Sequence, residues 1–211
     1  SNFSANPRDI MNMNYIYEYY QKICDGSVRV GRWIRLLYTL IVRGLESGEY
    51  AFDSKAANRA IDWIEAHCFH VEGPLAPGPF TLGGGQKAMI SCIFGVMNPQ
   101  TGKRQFREVL LVVARKNGKT KIASGVGDYE FRIDGGYGAR VFCIAPKLEQ
   151  ADLVYNDIWQ MITLDPEWQA MKESFSERDE HNKKILDDSM LARHRQSDLA
   201  IPGTNSTVKK I

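Results

Sequence analysis

Residues Val109-Leu110-Leu111-Val112-Val113-Ala114 form an unbroken apolar run, and Arg115-Lys116-Asn117-Gly118-Lys119-Thr120 follows at once. A short apolar run of this kind predicts a buried strand, here Glu108 to Ala114. The polar loop ends in Gly-Lys-Thr, and a helix-compatible stretch runs on from Lys119 to about Arg132. Strand, loop and helix N-terminus in that order are the layout of a phosphate-binding loop. Backbone N–H groups and the helix dipole favour phosphate at such a place. Lys119 would reach the terminal phosphates and Thr120 would hold Mg²⁺. The general pattern G-x-x-x-x-G-K-[ST] puts Gly where this chain has Val113, so the loop departs from it. Arg115 and Lys116 stand in the loop instead, and a guanidinium there could sit at a γ-phosphate as an arginine finger does. The plain alternative is a Gly-Lys-Thr triplet in an ordinary surface turn.

The chain has 211 residues, 44% of them hydrophobic and 25% charged, which suits a folded globular protein of one or two domains. A net charge of +2 argues against a field that coats nucleic acid but leaves room for a local basic patch. No apolar run approaches the roughly 18 residues that span a bilayer. The polar N-terminus, with Asn2, Asn6, Arg8 and Asp9, does not read as a secretory signal, so a cytoplasmic protein is expected. Cys24, Cys68, Cys92 and Cys143 are widely spaced and form no C-x-x-C pair. Reduced, mostly buried thiols are expected. His67-Cys68-Phe69-His70 lacks a second ligand pair at zinc-site spacing, so a helix end of mixed residues is the better account.

Helical periodicity predicts helices over Met11–Cys24, Val28–Leu45 and Lys55–His67, the first ended by Asp25-Gly26 and the third capped by Ser54. In the second, Val30, Trp33, Ile34, Leu37, Ile41 and Leu45 mark the apolar face. Arg29, Arg32, Arg35 and Arg43 read either as a solvated face or as a DNA-facing surface. Gly73 to Gly85 is rich in Gly and Pro and is taken as a boundary. Residues 1–72 then form a helical, lid-like subdomain, and 73–211 an α/β unit. That unit continues with a helix from Gln86 to about Met97, the strand and loop above, a strand over Arg140–Ala145 and a helix over Glu149–Met161. Such a series predicts a mainly parallel sheet with flanking helices, its ligand at the carboxyl ends of the strands. Lys184–Asp187 and Thr207–Ile211 read as short strands. Hydrolysis would need a Mg²⁺-organising Asp after a second apolar strand. The nearest candidate, Ile185-Leu186-Asp187-Asp188, follows Lys183 and Lys184 rather than apolar residues. The expectation is an incomplete ATPase core, cut before that carboxylate. Its unpaired strand edge would favour self-association.

The chain resembles the large subunit of tailed-phage terminases. The likeness rests on Tyr19 to Gly26; Phe52 with Ala56 to Glu65; Pro79-Phe80-Thr81-Leu82 followed by Gln86; Ile93-Phe94-Gly95; Val113 to Thr120; and Ala145-Pro146-Lys147 with Glu149-Gln150-Ala151. The resemblance implies an N-terminal lid followed by part of a P-loop core of the ASCE type. It implies ATP and Mg²⁺ as ligands, bound by Lys116, Asn117, Gly118, Lys119 and Thr120. Arg115 and Lys119 would be the catalytic cations. Phe80 to Gln86 would be the adenine-recognising segment, although Gly85 stands where the family usually has Trp. In the intact protein it implies double-stranded viral DNA, a portal protein and a small terminase subunit as partners, in the bacterial cytoplasm. An attached nuclease belongs to the family and has no counterpart in this sequence. A superfamily-2-like helicase fragment, or a phage-derived module that binds DNA or protein without catalysis, are the other readings.

Overall fold

The computed structural model describes residues 14–176, 190–195 and 198–211. They fold as two compact units: residues up to Asp62 with Leu82–Leu111, and Trp63–Thr81 with Val112–Ile211.

The first unit is helical. It contains α1 (Tyr15–Cys24), α2 (Arg32–Ser47), the start of α3 (Ser54–His67) and α4 (Gly84–Gly95). Strand β1 (Ala51–Phe52) pairs antiparallel with β2 (Val96–Met97). Asn14 begins α1, its side-chain oxygen accepting from the Ile16 N–H at 2.8 Å. Gly26, at φ 81°, follows the C-cap Asp25 and turns the chain. The core joins Ile16, Tyr17 and Ile23 of α1 to Tyr38, Ile41 and Val42 of α2 and to Ala88 and Cys92 of α4. Tyr19 meets Tyr38 edge-on, ring centroids 5.1 Å apart. Asp53, not Ser54, caps α3: its carboxylate accepts from the Ala56 N–H at 3.0 Å. The helix starts one residue earlier than the sequence suggests, and the stronger charged acceptor takes the cap. The expected apolar face of α2 is also corrected. Trp33 and Leu37 point to solvent, and the buried set is Tyr38, Ile41, Val42 and Gly44. The apolar arc of this helix is wide, and spacing alone does not say which part of it packs inward.

The second unit is α/β. Helix α5 (Lys119–Tyr129) runs on as a π turn, Glu130–Asp134. Then come β3 (Arg140–Cys143), α6 (Leu148–Leu164), α7 (Pro166–Ser176), β4 (Arg193–His194), β5 (Leu199–Ile201), a 3₁₀ turn at Pro202–Thr204 and β6 (Ser206–Lys210). The sheet order is β3-β6-β5-β4. Only β3 and β6 are parallel, with Arg140 opposite Thr207 and Cys143 opposite Lys210; the other pairs are antiparallel. The expectation of a mainly parallel sheet therefore gives way to a mixed one. β4 and β5 are too short to give a clear period, and the tight turn through Asn205 (φ 55°) returns the chain antiparallel. Ile158 and Ile162 of α6, Leu199 and Ile201 of β5 and Val208 of β6 form the core with Phe131 and Trp168. The indole N–H of Trp168 donates to the Ala192 carbonyl at 3.0 Å. Gly127 lets α5 close on α6, since a Cβ there would stand 3.0 Å from Ile158.

The strand expected over Glu108–Ala114 is absent. The segment has no ladder partner among the described residues, and Leu110 and Val112 are 90% and 82% exposed. Apolar content signals a strand only if another strand takes up its N–H and C=O groups, and periodicity carries no information about that neighbour. The short strand read at Lys184–Asp187 lies outside the described residues. Cys68, Cys92 and Cys143 are buried free thiols and Cys24 is an exposed one.

Candidate phosphate-binding site

The candidate loop lies wholly in the second unit. Arg115 and Lys116 form a turn, and Lys116 adopts φ 67°, a left-handed conformation that a lysine rarely takes. Asn117 braces the turn: its amide donates to the carbonyls of Ala114 at 3.2 Å and Arg115 at 3.4 Å. Gly118, at φ 70°, is the N-cap of α5 and provides no side-chain cap. The first-turn N–H groups of α5 therefore have no capping side chain and face the loop side of the helix. A helix that opens this way presents partial positive charge to an anion.

The side chains reinforce that field. Arg115, Lys116 and Lys119 are exposed, and among the described residues none meets a carboxylate. Lys121 is different. Its ammonium lies 2.8 Å from Asp157 of α6 and 3.7 Å from Glu72, so it is neutralised. Thr120 is half-buried, and its carbonyl accepts from the Ser124 hydroxyl at 2.9 Å. An anion at Gly118 would stand by backbone donors and, among the described residues, by three cations that meet no carboxylate. That set suits a chain of phosphates.

Gln86 and Phe80 are placed differently. Gln86 sits in the first turn of α4, in the first unit, and its side-chain oxygen accepts from the Gly83 N–H at 2.7 Å. Phe80 is buried in the second unit, edge-on to His70 with ring centroids 5.3 Å apart. Its ring lies 3.9 Å from where a Cβ on Gly125 of α5 would stand. Gln150, in the first turn of α6, is exposed.

Beneath the loop helix lies a polar network that sequence reading missed. Arg132, in the π turn, donates two bonds to Asp128, each 2.8 Å, and one of 2.6 Å to Asp165. Its guanidinium also lies over Trp63, 4.6 Å from the ring centroid. His67 reaches the same Asp165 oxygen at 3.1 Å and lies 3.5 Å from Glu167. His67, Asp165 and Glu167 are close enough to suggest a metal cluster. The Asp165 oxygen already serves Arg132, however, and a cation there would face a fixed guanidinium. The Asp128–Arg132 pair was legible as an i, i+4 spacing. Asp165 comes from the far end of α6 and carried no such signal. Burial pushes the Asp128 carboxyl up, against the pull of Arg132.

Residues 85–210 match the family described as terminase large subunit, ATPase domain. Among solved structures, the HK97 bacteriophage large terminase matches with a TM-score of 0.53 and 22% sequence identity. The match covers 74% of this chain and 27% of that one, so this chain spans about a quarter of that structure's length. No curated protein matches. The structural likeness carries the α/β fold.

Proposed function

The chain belongs to the terminase large subunit ATPase-domain family, and on that premise we propose that it is the ATP-binding part of a motor that couples hydrolysis to packaging of viral DNA. The observation that carries the reading is the loop at Arg115–Thr120, where a helix start without a side-chain cap coincides with three cations that meet no carboxylate among the described residues. Lys119 would hold the terminal phosphates, with the backbone N–H groups after Gly118 completing the cradle. Arg115 and Lys116 would add positive charge where it develops at the γ-phosphate. Thr120 would supply the protein ligand to Mg²⁺, which neutralises phosphate charge when bound. Gln86 would read the adenine edge with the amide hydrogens left over from its bond to Gly83. Phe80, buried beside Gly125, would support the helix that carries Lys119 and Thr120 rather than stack on the base. The core in this reading is of the P-loop, ASCE type. Double-stranded viral DNA, a portal protein and a small terminase subunit would be partners of the intact motor in the host cytoplasm.

The sequence holds no run of four apolar residues followed by Asp-Glu. Nucleotide binding with little turnover is therefore expected of this chain. Calorimetry with Mg²⁺ and a non-hydrolysable ATP analogue tests the site. Lys119→Ala should weaken binding at least tenfold with an unchanged melting temperature, because Lys119 is exposed. Equal binding by both proteins would refute the loop assignment. Brisk turnover by the chain, lost in Lys119→Ala, would refute the expectation of slow hydrolysis.

A further inference from the structure

Helix α2 carries an apolar arc wider than the part that packs in the core. Tyr38, Ile41 and Val42 are buried in the first unit. On the adjoining part of the same arc, Trp33, Leu36, Leu37 and Leu40 follow one another at i, i+3, i+4 and i+7 and are 68%, 44%, 46% and 54% exposed. The apolar face of an amphipathic helix is ordinarily covered over its whole width. Here a continuous outer stripe, about two turns long, stands in water.

The two charged residues that border it, Arg32 and Arg43, are both cations. Arg32 and Arg43 are eleven residues apart, close to three full turns, and so lie on the same flank of the stripe. The Arg32 guanidinium covers Trp33, 4.6 Å from its ring centroid. Arg29 precedes the helix, the first turn holds no acid, and Gly31 offers no side-chain cap. Among the described residues, Arg29, Arg32 and Arg43 meet no carboxylate. Arg29 and Arg32 stand at the helix N-terminus, whose dipole repels them, and Arg43 adds a third cation without a carboxylate partner among the described residues.

We propose that this outer face of α2 docks an amphipathic helix of a partner protein, with apolar residues at i, i+3, i+4 and i+7 and a row of carboxylates along the edge that meets Arg32 and Arg43. Such a helix would lie nearly along α2, where two apolar stripes interlock side by side. The carboxylates would relieve the charge that α2 leaves unpaired. A second copy of the chain fits less well. Antiparallel pairing about the centre of the stripe sets Arg32 opposite Arg43 of its partner, cation against cation. A lipid surface fits less well too. The other flank of the stripe is closed by the buried residues Ile41 and Gly44, whereas a helix lying in a membrane carries cations on both sides of its apolar face.

The test uses two synthetic peptides of about three heptads. Both have Leu at the a, d and e positions; one carries Glu and the other Lys at the g and c positions. Each is titrated into the full chain by fluorescence anisotropy. The Glu peptide should bind and the Lys peptide should bind at least tenfold more weakly. Leu40→Glu, at an exposed position, should weaken the Glu peptide at least tenfold with an unchanged circular dichroism spectrum. Arg32→Glu combined with Arg43→Glu should reverse the preference between the peptides. Equal binding of both peptides would overturn the proposal. So would a dimer in sedimentation that Leu40→Glu disperses, or adsorption to phosphatidylserine vesicles that the Glu peptide fails to displace.

Discussion

Replacing Arg132 by Met should be the most damaging change in the second unit, and the structure fixes both its size and its pH dependence. The guanidinium makes three charge-assisted hydrogen bonds of 2.6 to 2.8 Å to two carboxylates, and it stacks on Trp63. Asp128 is wholly buried and Asp165 is 1% exposed. Desolvation works against the Arg132 charge, but Asp128 and Asp165 outweigh it and raise its pKa. Methionine of similar length would keep much of the packing and remove the charge, leaving two carboxylates facing each other out of water. Removing one member of a buried ion cluster costs about 3–5 kcal/mol. For a chain of this size that is a fall in melting temperature of about 6–20 °C.

The pH dependence follows from Asp128. Its folded pKa is raised above 3.8 because burial outweighs the attraction of Arg132. Between 3.8 and the raised value the folded state holds a proton that the unfolded state has released, so stability falls as pH rises through that window. Removing Arg132 deletes an influence that lowers the Asp128 pKa, so the window extends upward. The penalty of Arg132→Met should therefore be largest near neutrality and shrink on acidification toward pH 4. Urea unfolding followed by circular dichroism across pH 4.5–7.5 measures it. Adding Asp128→Asn should recover about 1 kcal/mol or more, because the uncompensated charge goes with it. A loss below about 1 kcal/mol at pH 7, or one that does not change with pH, would refute the assignment of this network as a buried and mutually dependent unit.

Two further outcomes concern the helical unit. Gly44→Ala should destabilise the chain by about 1 kcal/mol, because overpacking outweighs the gain in helix propensity. A Cβ there would overlap the ring of Tyr50, which itself packs edge-on against Phe106; thermal unfolding that shows stabilisation would refute that packing. Asn14→Ala should cost about 1 kcal/mol through loss of the α1 cap, and Asn14→Asp should retain most of it. Denaturant midpoints of the two variants that coincide would show that the cap contributes nothing.

Several elements were legible because the signal was local. Asp25-Gly26 marked the end of α1, and Ala57, Ala60, Ile61 and Ile64 spelled the buried face of α3. Gly118-Lys119-Thr120 marked the start of α5 to the residue. The errors share one cause. Leu110 and Val112 have the composition of a core strand and stand exposed, because a strand is completed by a neighbour that its own residues do not name. Trp33 and Leu37 repeat at helical spacing as faithfully as Ile41 does, yet they lie toward the outer edge of the same apolar arc and stay exposed. Helix α7 and strands β4 and β5 went unread because they are short or carry mixed composition, and their burial comes from Trp168, Leu199 and Ile201 meeting the far-off Ile158 and Ile162.

By itself, then, the sequence determined where the chain turns after α1 and that a cationic Gly-Lys-Thr loop opens α5 at Lys119, whereas α2 begins at Arg32 rather than at the expected Val28. Only the tertiary structure decided which part of the apolar arc of α2 faces inward, that Lys121 is paired while Arg115, Lys116 and Lys119 meet no carboxylate among the described residues, and that Arg132 holds Asp128 and Asp165 together. Those are outcomes of which groups meet across tens of residues, and desolvation sets their energies only once they have met.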